Sequence, residues 1–124
     1  MIESTLKHNK RSNILKKELA ENYESEKEFE KALKIYFEMF ENIRESKKQN
    51  VLEGYVENKI IALIRKLRNR EDKKYYIEKY LRINNRSSNN STKLIIMLAE
   101  ILIENREYKE AEKYYQEIVK KEEN

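Results

Sequence analysis

Residues 19–40 read LAENYESEKEFEKALKIYFEMF, and residues 98–119 read LAEILIENREYKEAEKYYQEIV, with the same residue classes at the same steps. At a single offset of 79 residues, Leu15, Leu19, Ala20, Tyr23, Phe29, Ala32, Tyr36 and Met39 fall on Leu94, Leu98, Ala99, Leu102, Tyr108, Ala111, Tyr115 and Ile118. Steps of three and four residues are helical, so each stretch predicts two helices that bury one face on each other. Generic amphipathicity does not place small and large residues at so many matched positions. A helix pair that recurs along a chain is the pattern of a stacked array, whose long surface holds another molecule.

Composition agrees with an all-helical chain. At 124 residues there is room for one domain, residues 1–124, able to bury about two-thirds of its unfolded surface. Forty per cent of residues are charged, yet the apolar ones recur at helical intervals, which a disordered chain would not show. Proline is absent and glycine occurs once, as Gly54, so the punctuation of strands and tight turns is missing. Without cysteine there are no disulfides or thiolate metal sites. No long apolar run exists and the opening MIESTLKHNKRS has no apolar core, so the chain reads as soluble and cytoplasmic, with no membrane partner.

Six helices in three hairpins follow, over about 12–46, 47–83 and 91–122, with a polar loop at 84–91. The first helix runs from about Ser4 or Ser12 to Glu24, with Leu15, Leu19 and Tyr23 as its apolar stripe. The second runs from about Glu28 to Glu45, its stripe formed by Phe29, Ala32, Leu33, Tyr36, Phe40 and Ile43. Ser46-Lys47-Lys48-Gln49 has the form of a capping box, which starts a third helix near Lys47 and makes it about ten residues, or ~15 Å, longer than its counterparts. Gly54 inside it predicts a kink or a close helix contact. The fourth helix covers about Glu71–Ile83, the fifth Thr92–Glu104 with Ser91 as its N-cap, and the sixth about Glu107–Lys121.

The two copies resemble the tetratricopeptide repeat, in which Ala99 and Ala111, like Ala20 and Ala32, would let paired helices approach closely beside Tyr108, Tyr115 and Ile118. A middle copy aligns through Ile64, Leu67, Tyr76, Tyr80 and Ile83, with Tyr76 at the small position and Lys73 at the turn aromatic; the usual tryptophan, glycine and closing proline are missing. The resemblance covers about four-fifths of the chain. It implies three antiparallel hairpins stacked as a short right-handed α-solenoid, with an inner wall built from the first helix of each hairpin. That wall would carry Lys17, Glu21 and Glu24, then Ile61, Arg65 and Arg68, then Ile96, Glu100 and Ile103. It lacks the Lys and Asn arrangement with which chaperone-binding members of the family hold a terminal carboxylate.

Charge is unevenly spread. Residues 59–86 carry a net +7, whereas residues 21–46 carry −4. Two readings fit the basic middle. In one, Arg65, Lys66, Arg68, Arg70, Lys73 and Lys74 form a patch that attracts phosphates, with Tyr75, Tyr76 and Tyr80 for stacking. In the other, the tyrosines are core and the charges a solvated face; no nucleic-acid recognition motif accompanies them. The fifth helix is apolar all round, and Ile96 and Ile103, seven apart, form its exposed side. With no polar capping helix following, that end predicts a partner helix or a homodimer through the C-terminal hairpin.

One histidine, His8, one aspartate, Asp72, and no cysteine do not supply a nucleophile and base, a metal site or a phosphate loop. The expectation is a non-enzymatic protein–protein interaction adaptor without cofactor or metal, binding a partner segment in its groove or through its C-terminal apolar face. The alternative is a basic helical protein that engages nucleic acid or a nucleoprotein complex as a small inhibitor or accessory factor.

Overall fold

The structure is a computed structural model that describes residues 10–46, 50–84 and 88–123. Six helices and no strand occur among the described residues: α1 (Lys10–Ser25), α2 (Phe29–Ser46), α3 (Glu53–Lys66), α4 (Arg70–Ile83), α5 (Asn89–Glu104) and α6 (Tyr108–Glu123). The chain divides into two compact units, the first ending at Leu67 and the second beginning at Arg68. The boundary falls inside the hairpin expected over 47–83. In the first unit α2 packs on α1 and on α3; in the second α5 packs on α4 and on α6.

The repeat is visible atom by atom in the two turns. After α1, the amides of Glu26, Lys27 and Glu28 donate to the carbonyls of Asn22, Glu24 and Tyr23 at 3.1, 2.9 and 2.8 Å. After α5, the amides of Asn105, Arg106 and Glu107 donate to Ile101, Ile103 and Leu102 at 2.9, 3.0 and 2.8 Å. Every donor and acceptor is shifted by 79. The middle residue of each turn, Lys27 and Arg106, has φ 62°, and these are the non-glycine residues with positive φ among the described residues. Both turns are Schellman caps, in which a left-handed residue lets the chain satisfy its last carbonyls and reverse.

Burial follows the same offset where both copies are flanked by helices. Ala20, Ala32, Ala99 and Ala111 are buried, as are the paired serines Ser12 and Ser91. At another matched pair of positions the copies differ. Lys121 Nζ donates to Thr92 Oγ1 and, at 3.0 Å, to the Ser88 carbonyl. The equivalents in the first unit are Asn42 and Asn13, whose Nδ2 and Oδ1 atoms are buried without a hydrogen-bond partner among the described residues.

α2 is packed on two sides, so Leu33, Tyr36, Phe37, Met39, Phe40 and Ile43 are all buried along it. Each such side chain contributes roughly 1.5–3 kcal/mol by leaving water. α6, 79 residues on, packs chiefly on α5. There Glu112 and Gln116 replace Leu33 and Phe37, and Ala111 is its buried residue.

Several expectations are corrected. Leu15 and Leu19 are not core but 64% and 46% exposed, and Tyr23 is half-buried under Lys31, because α1 turns Ala20 and Ser12 toward α2 instead. Tyr108 and Tyr115, expected to fill space beside the alanines, are each 60% exposed. The third helix is short, 14 residues. Ser46 closes α2, its hydroxyl donating to the Ile43 carbonyl at 2.8 Å, and Lys47, Lys48 and Gln49 of the expected capping box lie outside the described residues. Asn50 then makes the turn: its Oδ1 accepts from the Leu52 amide at 2.8 Å and its carbonyl from the Glu53 amide at 3.1 Å.

Gly54 therefore sits in the first turn of α3. A Cβ there would meet nothing within 4 Å, so the residue marks neither a kink nor a close contact. The N-cap of α5 is Ser88, not Ser91: the Ser88 hydroxyl accepts from the Ser91 amide at 3.1 Å, and Ser91 is buried inside the first turn. Of the loop expected over 84–91, residues 85–87 lie outside the described residues, as do residues 1–9, which include Ser4 and His8.

A left-handed residue with a side chain is strained by roughly 1–2 kcal/mol, which glycine avoids. Lys27→Gly and Arg106→Gly should each raise the unfolding free energy by about 1 kcal/mol in a urea titration, net of the freedom glycine gains in the unfolded chain. Valine at either position should lower it.

Candidate functional site

The first helix of each outer copy carries a matched set of residues on one face: Lys17, Glu21 and Glu24 on α1, and Ile96, Glu100 and Ile103 on α5. On α1 that face meets α3. The Tyr55 hydroxyl donates to Glu21 Oε2 at 2.6 Å, and the Tyr36 hydroxyl, from α2, donates to Glu24 Oε2 at 2.6 Å. Lys59 Nζ lies 3.0 Å from Glu24 Oε1, and Lys17 Nζ 3.3 Å from Glu21 Oε2. The two tyrosine rings meet edge to face with centroids 6.3 Å apart. Lys17 and Lys59 lie 4.9 and 5.6 Å from the Tyr55 centroid, within cation–π range.

This cluster pairs two carboxylates with two ammonium groups and two phenols, and each charge has a partner. Burial first, then the hydrogen bond to Glu24, pushes the Tyr36 hydroxyl far above the ordinary tyrosine range. Tyr55 is raised for the same kind of reason, burial ahead of its bond to Glu21. That bond is also the main cause holding Glu21 below its ordinary 4.5, against the opposing effect of burial. For Lys59 burial is the largest single influence and acts downward. The hydrogen bond and charge of Glu24, with the smaller influences of Tyr55 and Glu21, outweigh it, leaving the ammonium raised. Neutral phenols held on carboxylates tie α2 to α1 through Tyr36 and α3 to α1 through Tyr55.

On α5 the equivalent face is open. Ile96 is 42% and Ile103 52% exposed, Glu100 between them is exposed, and Tyr108 and Tyr115 of α6 stand exposed beside the same hairpin. Of the expected wall residues, Lys17, Glu21 and Glu24 are brought together with one another and with α3. Ile61 is buried core rather than wall, since α3 turns Ile60, Ile61 and Ile64 inward, while Arg65 is exposed in the first unit and Arg68 in the second.

The expected basic patch is divided between the units and partly neutralised. Lys66 lies over the Phe29 ring at 5.4 Å. Arg70 Nε is 3.3 Å from Glu104 and Lys74 Nζ 3.3 Å from Glu107, so the acidic ends of the α5–α6 turn engage two of its cations. The hydrogen bond to Glu107 is the main cause that raises Lys74. Tyr76 and Tyr80 are core, and only Tyr75 of the three expected stacking tyrosines is exposed. Among the described residues no group of three His, Asp or Glu side chains could hold a metal ion, and no helix is long and apolar enough to cross a membrane. No family model, curated protein or solved structure matches the chain.

Tyr36→Phe should lower the stability of the first unit by about 2 kcal/mol, the cost of leaving a part-buried carboxylate short of a donor. The pH dependence follows from the shifts. Glu21, depressed on folding, contributes above 4.5 and loses that contribution as pH falls through its lowered value. Tyr55 and Lys59, both raised, contribute fully below 10.0 and 10.5 and lose it as pH climbs through their raised values. Tyr55→Phe should therefore move the Glu21 titration back toward 4.5, read by NMR of its side-chain carboxyl carbon.

Proposed function

We propose that the chain is a non-enzymatic, tetratricopeptide-like interaction module that works through the open face of α5. The observation that carries this reading is the pair Ile96 and Ile103, seven residues apart and each about half exposed, with Glu100 between them. Aliphatic side chains on one side of a helix favour a partner that removes them from water, and a carboxylate between them supplies orientation. The equivalent face of α1 supports the reading: there Lys17, Glu21 and Glu24 are covered by a helix held on Tyr55 and Lys59.

Binding to nucleic acid is less well supported, because Arg70 and Lys74 are held by Glu104 and Glu107 and Tyr76 and Tyr80 are buried. The test is retrieval of partners from the source cell with tagged full-length chain, before and after nuclease. The expected result is a protein retained after nuclease and at about 1 M salt, where the screening length is about 3 Å. It should be lost with Ile96→Asp combined with Ile103→Asp. Retention that vanishes with nuclease or moderate salt, and ignores those two substitutions, would overturn the reading.

A further inference from the structure

We infer that the α5–α6 face takes the α1 helix of a second copy of this chain, so that copies associate head to tail. The inference rests on the interaction-module reading and names its partner. The template is inside the molecule. α3 is seated on the α1–α2 hairpin through Tyr55 on Glu21, Lys59 on Glu24, Lys66 over Phe29 and the Tyr55 ring against Tyr36. Seventy-nine residues beyond those four receiving residues stand Glu100, Ile103, Tyr108 and Tyr115, and all four are exposed.

A helix able to fill that seat is present at the other end of the same chain. α3 meets its seat with Lys59, and Leu63 one turn on is buried. The matching residues of α5, Leu94 and Leu98, are buried as well. The matching residues of α1 are Leu15 and Leu19, which are exposed together with the adjacent Ile14. One stripe is thus used by α3 and α5 and bare on α1, while one seat is used on α1–α2 and bare on α5–α6.

The two bare surfaces also match each other chemically. In the register of the template, Leu15 of one copy falls where Lys59 lies, and Ile103 of the next falls where Glu24 lies. An ion pair within the chain becomes an aliphatic pair between chains, and both halves are changed together. A foreign helix gives no reason for that coincidence. Glu112 and Gln116, standing where α2 has the buried Leu33 and Phe37, make this seat less apolar than its template, so the association is weak and reversible. Because the surfaces differ, the contact is heterologous and propagates into rings or open fibres instead of stopping at a two-fold dimer.

Sedimentation velocity of the full chain from low micromolar to millimolar concentration tests this. The mass should rise with concentration past that of a dimer. Leu15→Lys alone and Ile103→Glu alone should each abolish the rise without lowering Tm, since both side chains are exposed. The two together, which rebuild the Lys59–Glu24 pair between copies, should restore it. An equimolar mixture of Leu15→Asp and Ile103→Asp chains retains one intact interface per pair and should stop at a dimer. A monomer at millimolar concentration, association that survives Leu15→Lys, or a fall in Tm showing that the chain itself covers Leu15 would each overturn the inference. If the chain is monomeric yet needs Ile96 and Ile103 to hold a foreign protein, self-association fails and the interaction-module reading stands.

Discussion

A helix that must double back within a few residues leaves its last carbonyls without donors, and a left-handed residue solves this by aiming the following amides back at them. Lys27 and Arg106 do so at the same φ, and all else in the outer hairpins depends on that reversal. It fixes the angle at which the second helix returns. It brings Ala20 and Ala32, and Ala99 and Ala111, into the interior of their hairpins, where small side chains let backbones approach. It also decides which side of the first helix remains for another occupant. In both turns an ordinary cationic residue bears the strain, so the surrounding hairpin contacts must outweigh it.

From that shared hairpin the two units diverge through what lies next to them. The first adds α3, and long polar side chains span the gap: phenols on carboxylates, ammonium groups on carboxylates, and an aromatic pair at their centre. A satisfied polar network of this sort fixes one register for the helix it holds, because any shift leaves a part-buried charge without its counterpart. At the matched positions the second unit carries Ile103 and Tyr108 in place of Glu24 and Phe29, and both are exposed. Those residues stand in water at a cost, which is the physical ground for reading the face as a binding surface.

The fold was legible where one residue's class determines its place. Alanine at helical spacing marked the close crossings, and the alternation of apolar residues marked all six helices and the absence of strands among the described residues. Helix starts were less legible, because cap-forming residues are crowded: Ser46, Ser88 and Ser91 can all cap, and geometry chose Ser88 for α5, whereas α3 starts after the Asn50 turn with Leu52 at its N-cap and no side-chain cap. Exposure at the ends was not legible either. Leu15 and Leu94 have the same place in their repeats, and nothing within the repeat says that one is covered and the other bare. Of the site, Lys17, Glu21 and Glu24 were readable as one face of α1. Tyr36, Tyr55 and Lys59 were not, since they come from helices some 12–35 residues away in sequence and look, by themselves, like core and surface.

The most direct measurement of the claim that residues 19–40 and 98–119 are one structural unit used twice is backbone NMR of the two turns. Equivalence predicts positive φ at both Lys27 and Arg106, from their Cα and Cβ shifts and amide couplings, together with slowed amide exchange at both Glu28 and Glu107. A left-handed residue in one turn and an extended or continuing helix in the other would contradict it.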